Sequence, residues 1–279
     1  MQHHEKKKEM LGSNSYMIGI QGAQGTGKTV LTILMKIFLQ AVGYAVDRAS
    51  LDDFYKTFEE RKVMKEGAYA GNPFYDVRGV PGTHSFEELY TSFGNIRNGH
   101  EANIPIFDKS KHNGKGDRIG YRQVKTPLDI WIFEGWCVGV PQVDPSQFPS
   151  IMQENEYAKK VFEGLDPRHE HYQKVLEHIE KYQKIWSFLD DWTVMQPINI
   201  RSIESWRQDQ ERRTIATKGS GMTPEEVSIF IRPYIPITWL IYHHIQRNKP
   251  NCIITVGEDH LPTKFDYAQT LNDIIRPER

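Results

Sequence analysis

Short apolar runs and stretches of helically spaced apolar residues take turns along the chain. The run over 16–21, Tyr-Met-Ile-Gly-Ile-Gln, ends at Gly22, and apolar side chains then stand at 30, 31, 33, 34, 37, 38, 41 and 42. That spacing predicts a buried strand, a glycine turn and a core-facing helix. Residues 44–51 predict a second strand and 129–133 a third, both β-branched or aromatic and both ending at polar residues. Between them the pattern predicts a helix at about 56–67, a Gly/Pro loop over 71–83, a helix at 85–98 and an irregular stretch rich in Lys, Gly and Asp. A loop region this long inside a compact domain is usually functional. Apolar residues at 175, 179, 182, 186 and 189 mark one buried helix stripe within 171–189. Residues 192–200 read as a fourth strand and 202–217 as a charged helix, broken by glycine at 219–221. Thr223 and Pro224 restart a helix with an N-cap and a first-turn proline, and 251–257 supplies a fifth strand. The chain therefore reads as α/β, with βαβ units around a mostly parallel sheet.

Composition narrows this picture. With 279 residues, 38% apolar and 25% charged, the chain can build one core and is too apolar for intrinsic disorder. A single domain over 16–279 is expected, with 1–15 as a flexible tail whose Lys6, Lys7 and Lys8 are solvated. No internal repeat or low-complexity tract divides it. Thirty-five Lys and Arg against 36 Asp and Glu leave a net charge of -1, so neither nucleic acid nor an anionic membrane is the expected partner. Cys137 and Cys252 are too few for a disulfide framework or a cysteine zinc site; no disulfide-linked partner and a cytoplasmic location are expected. No apolar run approaches the roughly 18 residues of a membrane helix, and the polar N-terminus carries no expected secretory signal. His169, His171 and His178 lack metal-pair spacing and adjacent His243 and His244 cannot share one metal from a helix, so all read as surface or core residues. The tryptophans read as packing.

The chemistry begins at Gly22, Ala23, Gln24, Gly25, Thr26, Gly27, Lys28 and Thr29, which satisfy G-x-x-x-x-G-K-[ST]. A chance match in a chain this long has a probability of roughly 1%. The loop follows a predicted strand and opens a predicted helix, as phosphate binding requires: backbone N–H groups wrap the phosphate and the helix N-terminus adds its dipole. Residues 22–30, through Val30, are the candidate ATP site, with Lys28 reaching the β- and γ-phosphates and Thr29 ligating Mg²⁺.

Phosphoryl transfer is mainly positioning and charge neutralisation, so such an enzyme also needs a carboxylate for magnesium and a group to orient the nucleophile. Glu134 closes an apolar strand, where a parallel sheet presents its ligand crevice. Asp52 and Asp53 close the second strand, where an acid can accept the proton of an attacking hydroxyl; for Asp53 a helix N-cap is an equal alternative.

These motifs resemble the P-loop kinases of small-molecule hydroxyls, the group of uridine kinase, phosphoribulokinase and pantothenate kinase, and within it the plant-type D-glycerate 3-kinases and their fungal relatives. Besides the phosphate loop, the shared segments are 50–55, 78–84, 107–110, 116–118, 132–136 and 221–227. The resemblance implies a P-loop NTPase, nucleoside-kinase-like fold: a five-stranded parallel core sheet of order 2-3-1-4-5 flanked by helices, with an acceptor-binding insertion at about 56–128 and a lid at about 202–222. It places the catalytic base on Asp52 and the magnesium-associated acid on Glu134. The acceptor pocket then draws on Asp53, Tyr55, Arg78, Thr83, His84, Asp108, Lys109 and Arg118. An acceptor carboxylate suits Arg bidentately and Lys as a point charge. The run 109–118 reads equally as a basic surface loop. The charged segment 206–213 resembles the lid, whose Arg stabilises the transferring phosphoryl group; Arg207 is the candidate, although Arg207 and Glu211 also form an ordinary i,i+4 pair. The segment after 136 departs from the relatives at 137–139, and 140–190 matches only loosely.

The sequence thus predicts an ATP- and Mg²⁺-dependent kinase of a small anionic metabolite, D-glycerate first, with Lys28, Asp52 and Arg207 catalytic. The alternatives are a kinase of a nucleoside or pantothenate-like acceptor, a non-catalytic ATP-binding regulatory protein, and a nucleic-acid-acting P-loop protein, which the neutral charge disfavours.

Overall fold

The computed structural model describes residues 15–218, 221–248 and 250–267. Most of the expected tail, with Lys6, Lys7 and Lys8, lies outside the described residues, as do Gly219 and the last part of the expected domain, 268–279. Ser15 is buried, its hydroxyl within hydrogen-bond distance of the Ile96 and Leu128 carbonyls.

The strands, in chain order, are β1 (Tyr16–Gly22), β2 (Val46–Ser50), β3 (Ala102–Asp108), β4 (Asp117–Val124), β5 (Ile130–Gly135), β6 (Asp191–Pro197), β7 (Cys252–Val256) and β8 (Pro262–Tyr267). The helices that frame them are α1 (Lys28–Ala41), α2 (Phe58–Glu66), α3 (Phe86–Arg97), α4 (Phe148–Gln153), α5 (Glu156–Leu165), α6 (Tyr172–Trp186), α7 (Ser202–Lys218), α8 (Pro224–Ile231) and α9 (Ile235–Asn248). Among the described residues five parallel strands lie in the order β2-β5-β1-β6-β7, which is 2-3-1-4-5 for the core strands, and β8 pairs antiparallel on the β7 edge. Register places Glu134 beside Ile20 of β1 and Ser50 of β2, so the ends of three strands meet at one rim.

The larger core lies on one face of the sheet, where Trp131 and Phe133 of β5 meet Phe93 of α3 and the apolar stripe of α6. That stripe includes Val175, Ile179, Tyr182 and Trp186; the helix ends before Leu189. A smaller cluster around Ile20, Val46, Ile132 and Met195 packs against Leu31, Met35 and Leu39 of α1.

Helix α1 corrects part of an expectation. It faces the core, but through Leu31, Met35 and Leu39, whereas Val30, Leu34, Ile37 and Phe38 are 61%, 59%, 59% and 67% exposed. The sheet contacts only one side of the cylinder, and the apolar positions of this helix run most of the way round it. A second correction concerns 99–128. The stretch expected to be irregular is largely the antiparallel hairpin β3–β4, which lies against α3 and the single-turn helix Leu51–Phe54. Among the described residues no helix is long and apolar enough to cross a membrane.

Candidate active site

The phosphate loop leaves β1 at Gly22 and enters α1 at Lys28. Gly25 and Gly27 adopt φ of +84° and +85°, a left-handed backbone that favours glycine. Gly27 caps α1 without a side-chain hydrogen bond, so the N-cap residue leaves the first N–H groups of the helix uncapped, an arrangement that suits an anion. Two elements buttress the loop. Trp206 of α7 packs so closely that a Cβ on Gly25 would stand 2.6 Å from its Cβ. The indole Nε1 of Trp206 donates to the Glu258 carbonyl at 3.0 Å, and His260 Nδ1 lies 2.9 Å from the Gly25 carbonyl.

Thr29 Oγ1 donates to Glu134 Oε1 at 2.9 Å. Glu134 is 2% exposed, and its Oε2 is buried without a hydrogen-bond partner. A buried carboxylate with an uncommitted oxygen beside a threonine hydroxyl suits a hard cation, so Thr29 and Glu134 fit magnesium. Among the described residues no group of three or more His, Cys, Asp or Glu could hold a metal through protein ligands alone.

The second strand turns at Ser50 into the single-turn helix. Ser50 Oγ accepts from Asp52 N, while Asp53 Oδ2 accepts from Ser50 N at 2.9 Å. Asp53 therefore serves the capping box of this turn. Burial raises its carboxyl above the ordinary value, with the Asp52 and Glu134 charges adding to that effect. The turn leaves Asp52 facing two donors: Tyr55 OH at 2.8 Å from Oδ1 and Lys109 Nζ at 2.6 Å from Oδ2. Burial opposes ionisation of Asp52, yet the Lys109 charge and hydrogen bond, the Lys28 charge and the Tyr55 hydroxyl hold it well below the usual carboxylate range.

The remaining expected acceptor residues divide into two groups. His84 stacks on Tyr55, with centroids 4.7 Å apart, and its Nδ1 lies 2.9 Å from Tyr182 OH. Its Nε2 is buried without a hydrogen-bond partner, and burial pushes the imidazole down to about 3, so the ring is neutral at pH 7. Arg78 lies 6.0 Å from the Phe107 ring centroid and donates to the Gly114 carbonyl. These residues gather around Asp52 and Lys109. Three others make fold contacts instead. Thr83 Oγ1 donates to the Val80 carbonyl at 2.8 Å and accepts from Gly79 N. Asp108 Oδ1 accepts from Ser110 N in the hairpin turn. Arg118 donates to the carbonyls of Tyr55 and Phe54 and pairs with Glu88.

In α7, Arg207 is turned inward, 17% exposed at its side chain, and pairs with Glu211, whose Oε2 accepts from Met222 N at 3.2 Å. Arg212, by contrast, is 68% exposed and pairs with Asp209 on the surface. Three site-lining residues escaped the sequence. Tyr182 donates to or accepts from His84, Tyr234 OH donates to the Arg78 carbonyl, and Arg61 stands 5.2 Å from the Phe107 ring centroid. Burial and the neighbouring Arg78 charge depress the Arg61 guanidinium below its ordinary value. No motif marks them; each reaches the site through the packing of a distant element.

A parallel sheet of this order, with a phosphate loop leaving its central strand and a carboxylate on the neighbouring strand, defines the class of P-loop kinases. A family model described as the phosphoribulokinase / uridine kinase family matches residues 17–144. An uncharacterized kinase of Schizosaccharomyces pombe, mug58, is 30% identical over 258 residues, covering 88% of this chain and 90% of that protein. The chloroplastic D-glycerate 3-kinase of Arabidopsis thaliana is 27% identical over 242 residues, 84% of this chain and 49% of that protein. The solved structure of D-glycerate 3-kinase from Cryptococcus neoformans var. grubii superposes with a TM-score of 0.82 at 26% identity, covering 91% of this chain and 90% of that one. The chain belongs to the phosphoribulokinase/uridine kinase family and is similar to D-glycerate 3-kinases and their fungal relatives.

Proposed function

We propose that the protein transfers the γ-phosphoryl group of ATP to a hydroxyl of a small anionic metabolite, D-glycerate giving 3-phosphoglycerate. The observation that carries this reading is the arrangement of Asp52, an ionised carboxylate, beside Lys109, with Arg78 nearby. A base for a hydroxyl and cations for a carboxylate are what a hydroxy-acid acceptor needs. The names of the Arabidopsis and Cryptococcus relatives support the same acceptor.

In this reading Lys28 and the loop amides of 22–30 hold the phosphates. Thr29 and Glu134 would hold magnesium, which would supply neutralisation of phosphate charge when bound. Asp52 takes the acceptor proton, and the oxygen so freed attacks the γ-phosphorus as its bond to ADP breaks. Neutral His84 and Tyr55 border the acceptor, and Arg207 stabilises charge on the transferring group. Arg118, Thr83, Asp53 and Asp108 shape the pocket through the backbone contacts they make. The single domain carries residues 56–128 as its acceptor-binding insertion and 202–222 as its lid. Both Cys137 and Cys252 are buried and free, which supports a cytoplasmic location.

A coupled ADP-release assay across D-glycerate, pantothenate, uridine and ribulose 5-phosphate tests this. D-glycerate is expected to give the highest kcat/KM. A different winner transfers the assignment to that acceptor, and ATP binding without any phosphorylated acceptor refutes catalysis.

A further inference from the structure

The charge pair on the proposed base has a consequence for how the enzyme treats water. Asp52 Oδ1 is bonded by Tyr55, which is 3% exposed and stacked on His84. Asp52 Oδ2 is bonded by Lys109, whose side chain is 58% exposed. Of the two donors, only Lys109 can leave without disturbing packing. The backbone that carries it is pinned: Arg61 donates to the Lys115 and Gly116 carbonyls at 2.8 and 2.6 Å, and Arg78 donates to the Gly114 carbonyl. Departure of Lys109 is therefore a rotation of its side chain and needs no movement of the hairpin.

A carboxylate that takes a proton loses its charge. While Lys109 stays, that step costs the ion pair, so the base is held in a state that favours neither acceptor nor water. An acceptor carboxylate changes the balance, because Lys109 can exchange one carboxylate for another. Arg61 and Arg78, 5.2 and 6.0 Å from the centroid of Phe107, add positive charge two residues along the hairpin from Lys109, which favours an anion there. We propose that Lys109 is an acceptor-operated gate on Asp52: it restrains the base until the acceptor's carboxylate draws the ammonium away, which suppresses wasteful ATP hydrolysis. The inference rests on the reading of Asp52 as the base and deepens it. With the ammonium withdrawn, the acceptor O–H proton passes to Asp52, the new O–P bond forms at the γ-phosphorus, and the bond from that phosphorus to the β,γ-bridging oxygen breaks to release ADP. In Lys109→Met the same step is open to water, giving inorganic phosphate and ADP.

The test compares wild type with Lys109→Met and Lys109→Gln in ATP hydrolysis without acceptor, in transfer to D-glycerate, and in transfer to glycerol, which has the hydroxyls but no carboxylate. Acceptor-free hydrolysis is expected to rise on the order of tenfold in both variants. The kcat/KM for D-glycerate should fall about 10- to 100-fold, mainly through KM, as one charge-assisted bond is lost, while transfer to glycerol holds or rises. Hydrolysis that stays at or below the wild-type rate, in variants that bind ATP normally, overturns the gate. So does an equal loss of transfer to both acceptors. If wild type transfers to no hydroxy acid, the acceptor assignment falls, and the hydrolysis comparison, made with no acceptor present, still decides the gate.

Discussion

A carboxylate that serves as a base must be ionised before the reaction and able to hold a proton during it. Asp52 meets the first demand through Lys109, Lys28 and Tyr55, and its exposed partner provides the route to the second. Lys28→Ala removes the cation expected on the β- and γ-phosphates, and transfer should drop by about 10²- to 10³-fold in steady-state assays. Two histidines yield a prediction on stability. Burial pushes His84 down to about 3 and His178 down to about 4, so both are neutral in the folded protein at pH 5 and above. In the unfolded chain each binds a proton near about 6.5. Below that pH the unfolded state holds more protons, so the stability these residues contribute is complete above about 6.5 and declines toward pH 4, by up to about 1.4 kcal/mol per pH unit each. Urea midpoints at about pH 7.5 and pH 5 should show the fall, and His178→Asn should lessen it; an undiminished difference contradicts the assignment. Residue chemistry of this kind was only partly legible in the sequence. Glu134 announces itself by closing an apolar strand, but Asp52 and Asp53 close one strand together and the resemblance separated them, while Thr83 and Arg118 have the polarity of ligands and yet bond the Val80 carbonyl and, for Arg118, the Tyr55 carbonyl and Glu88.

At the scale of elements, the phosphate loop is the part that sequence specifies most completely, because its glycines, lysine and threonine act through local backbone geometry. Its two left-handed glycines nevertheless differ. A Cβ at Gly27 meets nothing within 4 Å, so Gly27→Ala should cost only the left-handed backbone, about 1–2 kcal/mol. At Gly25 the added atom meets Trp206, and Gly25→Ala should cost more and weaken ATP binding by displacing α7 from the loop. Urea unfolding and nucleotide titration of the two variants check the order. Helix α1 shows where pattern reading fails. Its apolar residues continue around the cylinder, and periodicity reports that a face is apolar without reporting what covers it. Phe38→Lys, at 67% exposure, should therefore change stability by no more than about 0.5 kcal/mol. The hairpin β3–β4 was missed for a related reason. Pro105 interrupts the first strand, and the polar tip over 109–116 obscures the alternation in both.

For the whole molecule, strand order does what no local signal can. The phosphate loop follows β1, Glu134 ends β5 beside it, and Asp52 follows β2 on the next strand, so three segments far apart in sequence share one rim. At that rim Lys109 pairs with Asp52, His84 stacks on Tyr55, and Arg78 stands 6.0 Å from the Phe107 ring centroid. The alternation of strands and helices made a mostly parallel sheet legible, whereas its order came from the resemblance to the P-loop kinases and from no local pattern. The contributions of Arg61, Tyr182 and Tyr234 were not legible, since they depend on how α2, α6 and the turn before α9 pack. The most direct test of this convergence is single-turnover transfer of labelled γ-phosphate to D-glycerate by Asp52→Asn, measured alongside its affinity for ATP. The structure predicts near-normal ATP affinity with transfer slowed by about 10²-fold or more. Transfer at the wild-type rate, or a parallel collapse of ATP affinity, would contradict it.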